Sequence, residues 1–339
     1  MRLHFDELPA DDQANRMAAS ARRALESWGI GNAKLALIKY RENAVFAVDT
    51  GATRYALRVH RHAYHGLAEL RSELQWIAAL GAASIDVPTI VPTEDGSLLA
   101  SVPCDGLPEP VQVDLFEWIE GAQLGSVEAG VAGSDAQIRQ NYATVGRLAA
   151  RVHEQSAAWT PPDGFVRHAW DEEGLAGEQP FWGRFWELPS LQRDERELLE
   201  RARSRMYRDL RALPKNRDRY SMIHADFAPE NLLVDGTRVR LIDFDDAGFG
   251  WHLFELATSL YFIMGESYFE LARDALIDAY CSERPLSDED LEQLPLFFLA
   301  RACTYVGWVH TRPGTDTARD LTPMLVDGAC TLAESYLRS

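Results

Sequence analysis

The segment SMIHADFAPENLLVDGTRVRLIDFDDAGFG (221–250) carries the side chains best suited to chemistry. Asp226 is followed five residues later by Asn231, and Asp243 comes twelve residues after that. Phosphoryl transfer requires such a set, because one carboxylate must orient the acceptor hydroxyl and take its proton. An amide oxygen and a second carboxylate can then hold Mg²⁺ on nucleotide phosphates.

A β-hairpin is the element expected to bring these side chains together. The apolar runs Asn231–Val234 and Val239–Phe244 are joined by Asp235-Gly236, which is a strong turn signal. The Asp and Asn of one short loop would then converge with the second Asp across the hairpin. Taken singly, each residue also fits a turn, a cap or a core histidine, so the ordered set carries the prediction.

Two motifs in this segment match a known family. HADFAPEN resembles an H-x-D-x-x-x-x-N catalytic loop, and IDFDDAGFGWHLFELA resembles a metal-binding Asp strand with the helix behind it. The chain therefore resembles the aminoglycoside phosphotransferase family of the protein-kinase-like fold, nearest the homoserine kinase and stress response kinase A-like group, over residues 30 to 310. The resemblance implies an ATP- and Mg²⁺-dependent kinase acting on an alcohol. It implies a catalytic Asp226, metal ligands Asn231 and Asp243, and structural supports His224 and Glu255.

The first part of the chain should supply a cation for the phosphates. Tyr55-Ala-Leu-Arg58 stands where kinases carry V-A-I-K, and strand alternation places Ala56 and Arg58 on one face. Ala56 would leave room for adenine, and Arg58 would reach the phosphates. By resemblance Glu73 pairs with Arg58, although a solvated helix residue is the alternative. Arginine replaces the usual lysine, and it can fork to two oxygens.

The resemblance also assigns the adenine contacts. DLFEWIEG (114–121) is expected to link the two lobes, with the backbone carbonyl of Glu117 and the backbone N–H of Ile119 bonding adenine. Backbone groups do not discriminate ATP from GTP by side-chain identity. The turn Tyr40-Arg-Glu-Asn43 has no glycine-rich loop, and Asn43 either covers the phosphates or only shapes the turn.

The sequence favours a small-molecule alcohol as acceptor. Ala228 stands where Ser/Thr protein kinases carry Lys, and no D-F-G or A-P-E motif is present. Asp245, Asp246, the acidic helix near 288–292 and the aromatic insert 159–190 could bind an ammonium group. The alternative for the insert is that its aromatic residues are core. A stress-response-type Ser/Thr protein kinase and a non-catalytic nucleotide-binding module remain alternatives for the whole protein.

The periodicities predict an α+β, bilobal fold. Residues 1–120 form an N-terminal nucleotide-binding lobe, an antiparallel sheet with one inserted helix, and residues 121–339 form a mainly helical lobe. The expected elements include a strand around Ile90–Thr93, a helix after the capping box Ser134-Asp-Ala-Gln137, and one helix over 288–311.

Composition excludes several classes of function. The 339 residues contain 34 Lys+Arg and 52 Asp+Glu, a net charge of −18, which disfavours nucleic acid and anionic membrane as partners. The four scattered cysteines fit reduced thiols. The N-terminus lacks an apolar signal core, so a cytoplasmic location is expected. The sequence leaves the oligomeric state open.

Overall fold

The computed structural model describes residues 5, 8–40, 43–126, 130–312 and 315–338. Its contacts divide the chain into two compact units, Met1–Glu120 with Pro161–Val166, and Gly121–Thr160 with Arg167–Ser339. The short segment 161–166 belongs to the first unit, where the Val166 N–H donates to the Ser72 hydroxyl at 2.8 Å. An antiparallel sheet near the N-terminus and a helical remainder confirm the predicted α+β class.

The first unit is built on one antiparallel sheet. Its helices and strands are α1 (Ala10–Ala24), β1 (Lys34–Tyr40), β2 (Ala44–Asp49), β3 (Arg54–Val59), α2 (Leu67–Ala82), β4 (Ala100–Val102) and β5 (Val111–Glu117). The strand order is β1-β2-β3-β5-β4. Alternate residues of β2 are buried, because successive side chains of a strand face opposite sides, and α1 packs against this sheet.

The predicted strand around Ile90–Thr93 is wrong. Only Ile90 forms a bridge there, to Phe116 of β5, although the Val91 N–H also donates to the Leu115 carbonyl at 2.8 Å. Pro88 precedes this stretch and Pro92 lies within it, and a proline has no N–H to donate to a ladder. The segment therefore follows β5 without becoming a regular strand.

The second unit is mainly helical. Its helices are α3 (Asp135–Ala158), α4 (Glu172–Ala176), α5 (Arg193–Ala212), α6 (His252–Tyr261), α7 (Phe269–Glu283), α8 (Asp288–Leu291), α9 (Leu294–His310) and α10 (Asp316–Arg338). Its strands are β6 (Ala122–Gln123), β7 (Ala169–Trp170), β8 (Tyr220–Ile223), β9 (Leu232–Asp235), β10 (Arg238–Leu241) and β11 (Gly248–Trp251). They form two small sheets, β10-β9-β6 and β7-β11-β8.

Local signals fixed several boundaries in this unit. The Ser134 side chain caps α3 as predicted, and β9 and β10 form the predicted hairpin. The single helix expected over 288–311 is wrong, because the chain forms α8 and then α9. Pro295 lies in the first turn of α9, where its missing N–H costs nothing, and it cannot continue the preceding helix.

Two further features bear on the expectations from composition. All four cysteines are unpaired thiols, and Cys104 and Cys303 are buried. Within the described ranges, none of the helices combines the length and apolar character that a membrane crossing requires.

Candidate active site

The catalytic-loop motif follows β8 and ends in a short 3-10 turn, Pro229–Asn231, that leads into β9. Asn231 is buried, and its Nδ2 group donates to the Asp226 carbonyl at 3.0 Å and to Asp226 Oδ2 at 2.6 Å. Both bonds use the amide NH₂ group, so Asn231 Oδ1 is the side-chain atom that could bind a metal ion. The Asp226 side chain keeps 19 % of its surface exposed.

His224 ties this loop to the hairpin. Its Nε2 donates to the Ile242 carbonyl at 3.0 Å, while its Nδ1 accepts from the Asp226 N–H at 3.2 Å. These two contacts require the neutral ring with its proton on Nε2. These contacts link the catalytic loop to the segment that follows β10.

Glu255 on α6 holds the same loop from behind. Its carboxylate is fully buried and accepts the backbone N–H groups of His224 at 2.7 Å and Ala225 at 2.6 Å. Ala225 has φ +62°, a left-handed conformation that a non-glycine residue adopts only when its surroundings hold it. Burial raises the pKa of Glu255 to about 7, against the opposing effect of the two N–H groups.

We expect Glu255→Gln to destabilise the fold, since the amide NH₂ that replaces one oxygen is a donor and would face a backbone N–H group. The loss should be about 1–3 kcal/mol. A raised folded-state pKa means that parent stability from this group declines as pH rises from about 4.5 to about 7. The deficit of Glu255→Gln should therefore shrink over that window. Urea unfolding at pH 5 and pH 7.5 measures it, with the exposed Glu283→Gln as control. A deficit that grows with pH would contradict this role.

Asp243 lies directly after the hairpin. The Ile242 N–H donates to the Asn231 carbonyl at 3.0 Å, so the residue before Asp243 is bonded to the other proposed metal ligand. Asp243 is exposed and has φ +66°. Arg167, which sequence reasoning missed, braces the following residues by donating to the carbonyls of Asp245 and Ala247, both at 2.5 Å.

Arg301 is the most important residue that sequence reasoning missed in this unit. It is fully buried on α9 and donates from Nη2 to Asp226 Oδ1 at 2.6 Å. Tyr305 stands one turn further on and accepts from the same Nη2. The sequence does contain a signal for Arg301. It is the only Lys, Arg, Asp or Glu residue of α9, and a charge in such an apolar helix needs a partner.

The first unit contains the predicted Arg58–Glu73 ion pair, with Nη2 at 2.6 Å from Oε1. Asp114, missed from the sequence, pairs with the same guanidinium through Nε at 3.2 Å and Nη2 at 2.7 Å. Arg58 stands opposite Asp114 in the register of β3 and β5, which is the signal that could have found it. Burial opposes ionisation, but Arg58 and His60 lower the pKa of Asp114 to about 2.

The remaining nucleotide candidates occupy the expected elements of the first unit. Ala56 is half-buried on β3, and Glu117 ends β5 with an exposed side chain. Within the described ranges, the Ile119 N–H donates to no other group. The Asn43 side chain accepts the Arg61 N–H at 3.0 Å, and residues 41 and 42 of its turn lie outside the described residues.

The two acceptor candidates after β10 differ in environment. Asp245 is buried, whereas Asp246 is half-buried and its Oδ1 accepts from Trp182 Nε1 at 3.1 Å. The Asp246 carbonyl also accepts from Trp170 Nε1 at 2.8 Å. Trp170 and Trp182 are themselves buried, so the aromatic insert is core that also orients Asp246.

Comparison with known proteins relates this chain to phosphotransferases. A profile described as the phosphotransferase enzyme family matches residues 37–295. A homoserine kinase of Rhizobium etli is 28 % identical over 292 residues, which cover 80 % of each chain.

Two solved structures are similar along nearly the whole chain. A microcompartment-associated aminopropanol kinase is 33 % identical, with a TM-score of 0.83, over 95 % of this chain and 98 % of that one. The amicoumacin kinase hAmiN, in complex with AMP-PNP, Ca²⁺ and Ami, is 17 % identical, with a TM-score of 0.74, over 95 % and 94 %. The second likeness shows the fold alone.

Proposed function

Because this chain belongs to the phosphotransferase enzyme family, whose members are kinases acting on hydroxyl groups, we propose that it transfers the γ-phosphoryl group of ATP to the hydroxyl of a small amino alcohol. Asp226 orients that hydroxyl and accepts its proton. Asn231 and Asp243 hold Mg²⁺, and Arg58, held by Glu73 and Asp114, binds nucleotide phosphates. The adenine contacts are assigned to the backbone of Glu117 and Ile119, beside Ala56.

One observation carries this proposal. The Asp226 carboxylate is kept partly exposed while Asn231 and Arg301 each engage one of its oxygens. Because 19 % of the side chain is exposed, an acceptor hydroxyl can approach this carboxylate. An oriented and accessible carboxylate suits the role of a general base.

The donor set fits the expected cofactors. Asn231 Oδ1 and the Asp243 carboxylate are oxygen ligands, which Mg²⁺ prefers. The Ile242 N–H, one residue before Asp243, donates to the Asn231 carbonyl, which links the two residues through the backbone. When bound, Mg²⁺–ATP supplies the phosphoryl group and the metal neutralises charge on its oxygens. The similar amicoumacin kinase was solved with an ATP analogue and a divalent cation, which supports this assignment.

An amino alcohol is favoured over other acceptors. The aminopropanol kinase shares a third of its residues with this chain. The half-buried carboxylate of Asp246 is joined to the Asp226–Arg301 pair through Trp182, whose ring centroid lies 5.1 Å from the guanidinium carbon. The carboxylate of Asp246 suits an ammonium group, because the two can form an ion pair. Ala228, in place of the lysine of Ser/Thr protein kinases, also favours a small molecule.

The test is ATP consumption with a panel of acceptors that includes 1-amino-2-propanol, ethanolamine, homoserine, choline, an aminoglycoside and a generic protein. Each amine is paired with the same alcohol lacking nitrogen. We expect kcat/KM to be at least about 100-fold lower without the amine, because the carboxylate would lose its ion pair.

Other results would redirect the assignment. Equal rates with and without the amine would contradict the amino-alcohol class, and a preference for the protein would favour the protein-kinase alternative. Turnover of none of the panel, with ADP–Mg²⁺ leaving the melting temperature unchanged, would favour a non-catalytic module.

A further inference from the structure

Arg301 has contacts that a purely structural arginine does not need. It is fully buried in α9, a helix of apolar residues, where an unpaired cation would be strongly unfavourable. Its Nη1 donates to the Ala225 carbonyl at 3.0 Å, and its Nη2 donates to Asp226 Oδ1 at 2.6 Å. The guanidinium thus binds both the backbone and the carboxylate of the catalytic loop.

Aromatic rings fix the guanidinium in place. Its central carbon lies 4.2 Å from the ring centroid of Tyr305, 5.1 Å from Trp182 and 5.7 Å from Phe254. Burial disfavours the charged form, but Tyr305 and Asp226 raise the pKa of Arg301 above its ordinary value. The side chain therefore presents a permanent positive charge in a fixed plane.

The same contacts restrain a strained backbone. Ala225, at φ +62°, is held through its N–H by Glu255 and through its carbonyl by Arg301. Because the next residue is Asp226, this peptide determines where the catalytic carboxylate begins. With Asn231 bonded to Oδ2, the orientation of the Asp226 carboxylate is determined at both oxygens.

We propose that Arg301 is a positioning residue for phosphoryl transfer, which sets the orientation of the Asp226 carboxylate; the inference rests on the proposed function. The other charged or titratable groups around the pair are Tyr305 on α9, Asp246 after β10, Glu255 on α6, and His224 and Glu230 in the catalytic loop. Arg301 Nη2 lies 2.6 Å from Asp226 Oδ1, so its charge is in direct contact with the Asp226 carboxylate.

The experiment compares kcat and the KM values for ATP and for the acceptor in the parent and Arg301→Met. We expect kcat to fall about 100-fold, because small misplacement of a reacting group has this effect. The KM for ATP should not change, because Arg301 contacts the catalytic loop and not the nucleotide.

Arg203→Met on α5 is the matched control, since Arg203 also donates to a backbone carbonyl, that of Ala176 at 2.8 Å, and lies 3.9 Å from an aromatic ring, that of Trp186. It should lower the melting temperature without lowering kcat. A parent-like kcat in Arg301→Met would overturn the inference. If both variants lower kcat alike, the effect is structural and the inference also fails.

Arg301→Lys covers the case in which Arg301→Met does not fold. One ammonium keeps the charge but loses the fork, so kcat should fall while the KM for ATP stays near that of the parent. A parent-like kcat in Arg301→Lys would contradict the positioning role. Parent-like turnover by Asp226→Asn would instead remove the proposed function itself, so the two failures are distinguishable.

Discussion

Asp226→Asn is expected to lower kcat by about 100- to 10 000-fold, because the amide cannot take the proton of the acceptor hydroxyl. The KM for ATP and the increase in melting temperature with ADP–Mg²⁺ should persist, since Asn231 and Asp243 remain. The measurement is steady-state kinetics together with thermal unfolding with and without nucleotide.

A stability control is needed for this variant. Asp226→Asn removes the carboxylate that pairs with the buried Arg301, and breaking a buried ion pair costs about 3 kcal/mol. Rates should therefore be compared below the melting temperature of the variant. Turnover within about threefold of the parent, in folded protein, would exclude Asp226 as the general base.

Asp243→Asn is expected to lower kcat/KM by at least about 100-fold, because a metal ligand that stabilises charge on the phosphates is lost. Asparagine tolerates the left-handed backbone of Asp243 at φ +66°, so the fold should survive. Titration of activity with Mg²⁺ should show a higher requirement, and ADP–Mg²⁺ should no longer raise the melting temperature.

Asp235→Asn is the matched control for that substitution. Asp235 ends β9 on the same hairpin, is exposed, and pairs with Arg240 at 3.2 Å, a surface ion pair of small energetic value. Its Mg²⁺ dependence should equal that of the parent. An Asp243→Asn variant with the same Mg²⁺ dependence as Asp235→Asn would contradict the metal-ligand assignment.

Local signals determined how much of the fold could be predicted. The hairpin β9–β10 and the cap of α3 depend on residues close in sequence, Asp235-Gly236 and Ser134, and both predictions are confirmed. The strand predicted at Ile90–Thr93 failed because the two prolines outweighed the apolar pattern. The single helix predicted over 288–311 failed because Pro295 cannot continue the helix that precedes it.

In the candidate site, too, residues within a local motif could be predicted and partners distant in sequence could not. The family motif indicated Asp226, Asn231 and Asp243, and the structure places Asn231 against Asp226 and Ile242, the neighbour of Asp243. Arg301 lies 75 residues after Asp226, and no local pattern reports such a distant partner. Asp114 was missed for a similar reason, because strand register pairs it with Arg58 across 56 residues.

Two buried arginines, Arg58 and Arg301, are both paired with carboxylates. Arg58 is bound by two carboxylates in the first unit, and Arg301 binds one carboxylate in the second. Each buried cation is neutralised by acids on other elements, as the cost of burying charge requires. The partners therefore fix the geometry of groups that the motif alone identifies.

The most direct measurement is phosphorus NMR of the parent and Asp226→Asn after incubation with Mg²⁺–ATP and 1-amino-2-propanol. We expect the parent to form ADP and a phosphate monoester of the amino alcohol in equal amounts, and the variant to form neither. ADP with inorganic phosphate but no ester in the parent, or equal ester formation by the variant, would contradict the assignment of Asp226 as the base of an amino-alcohol kinase.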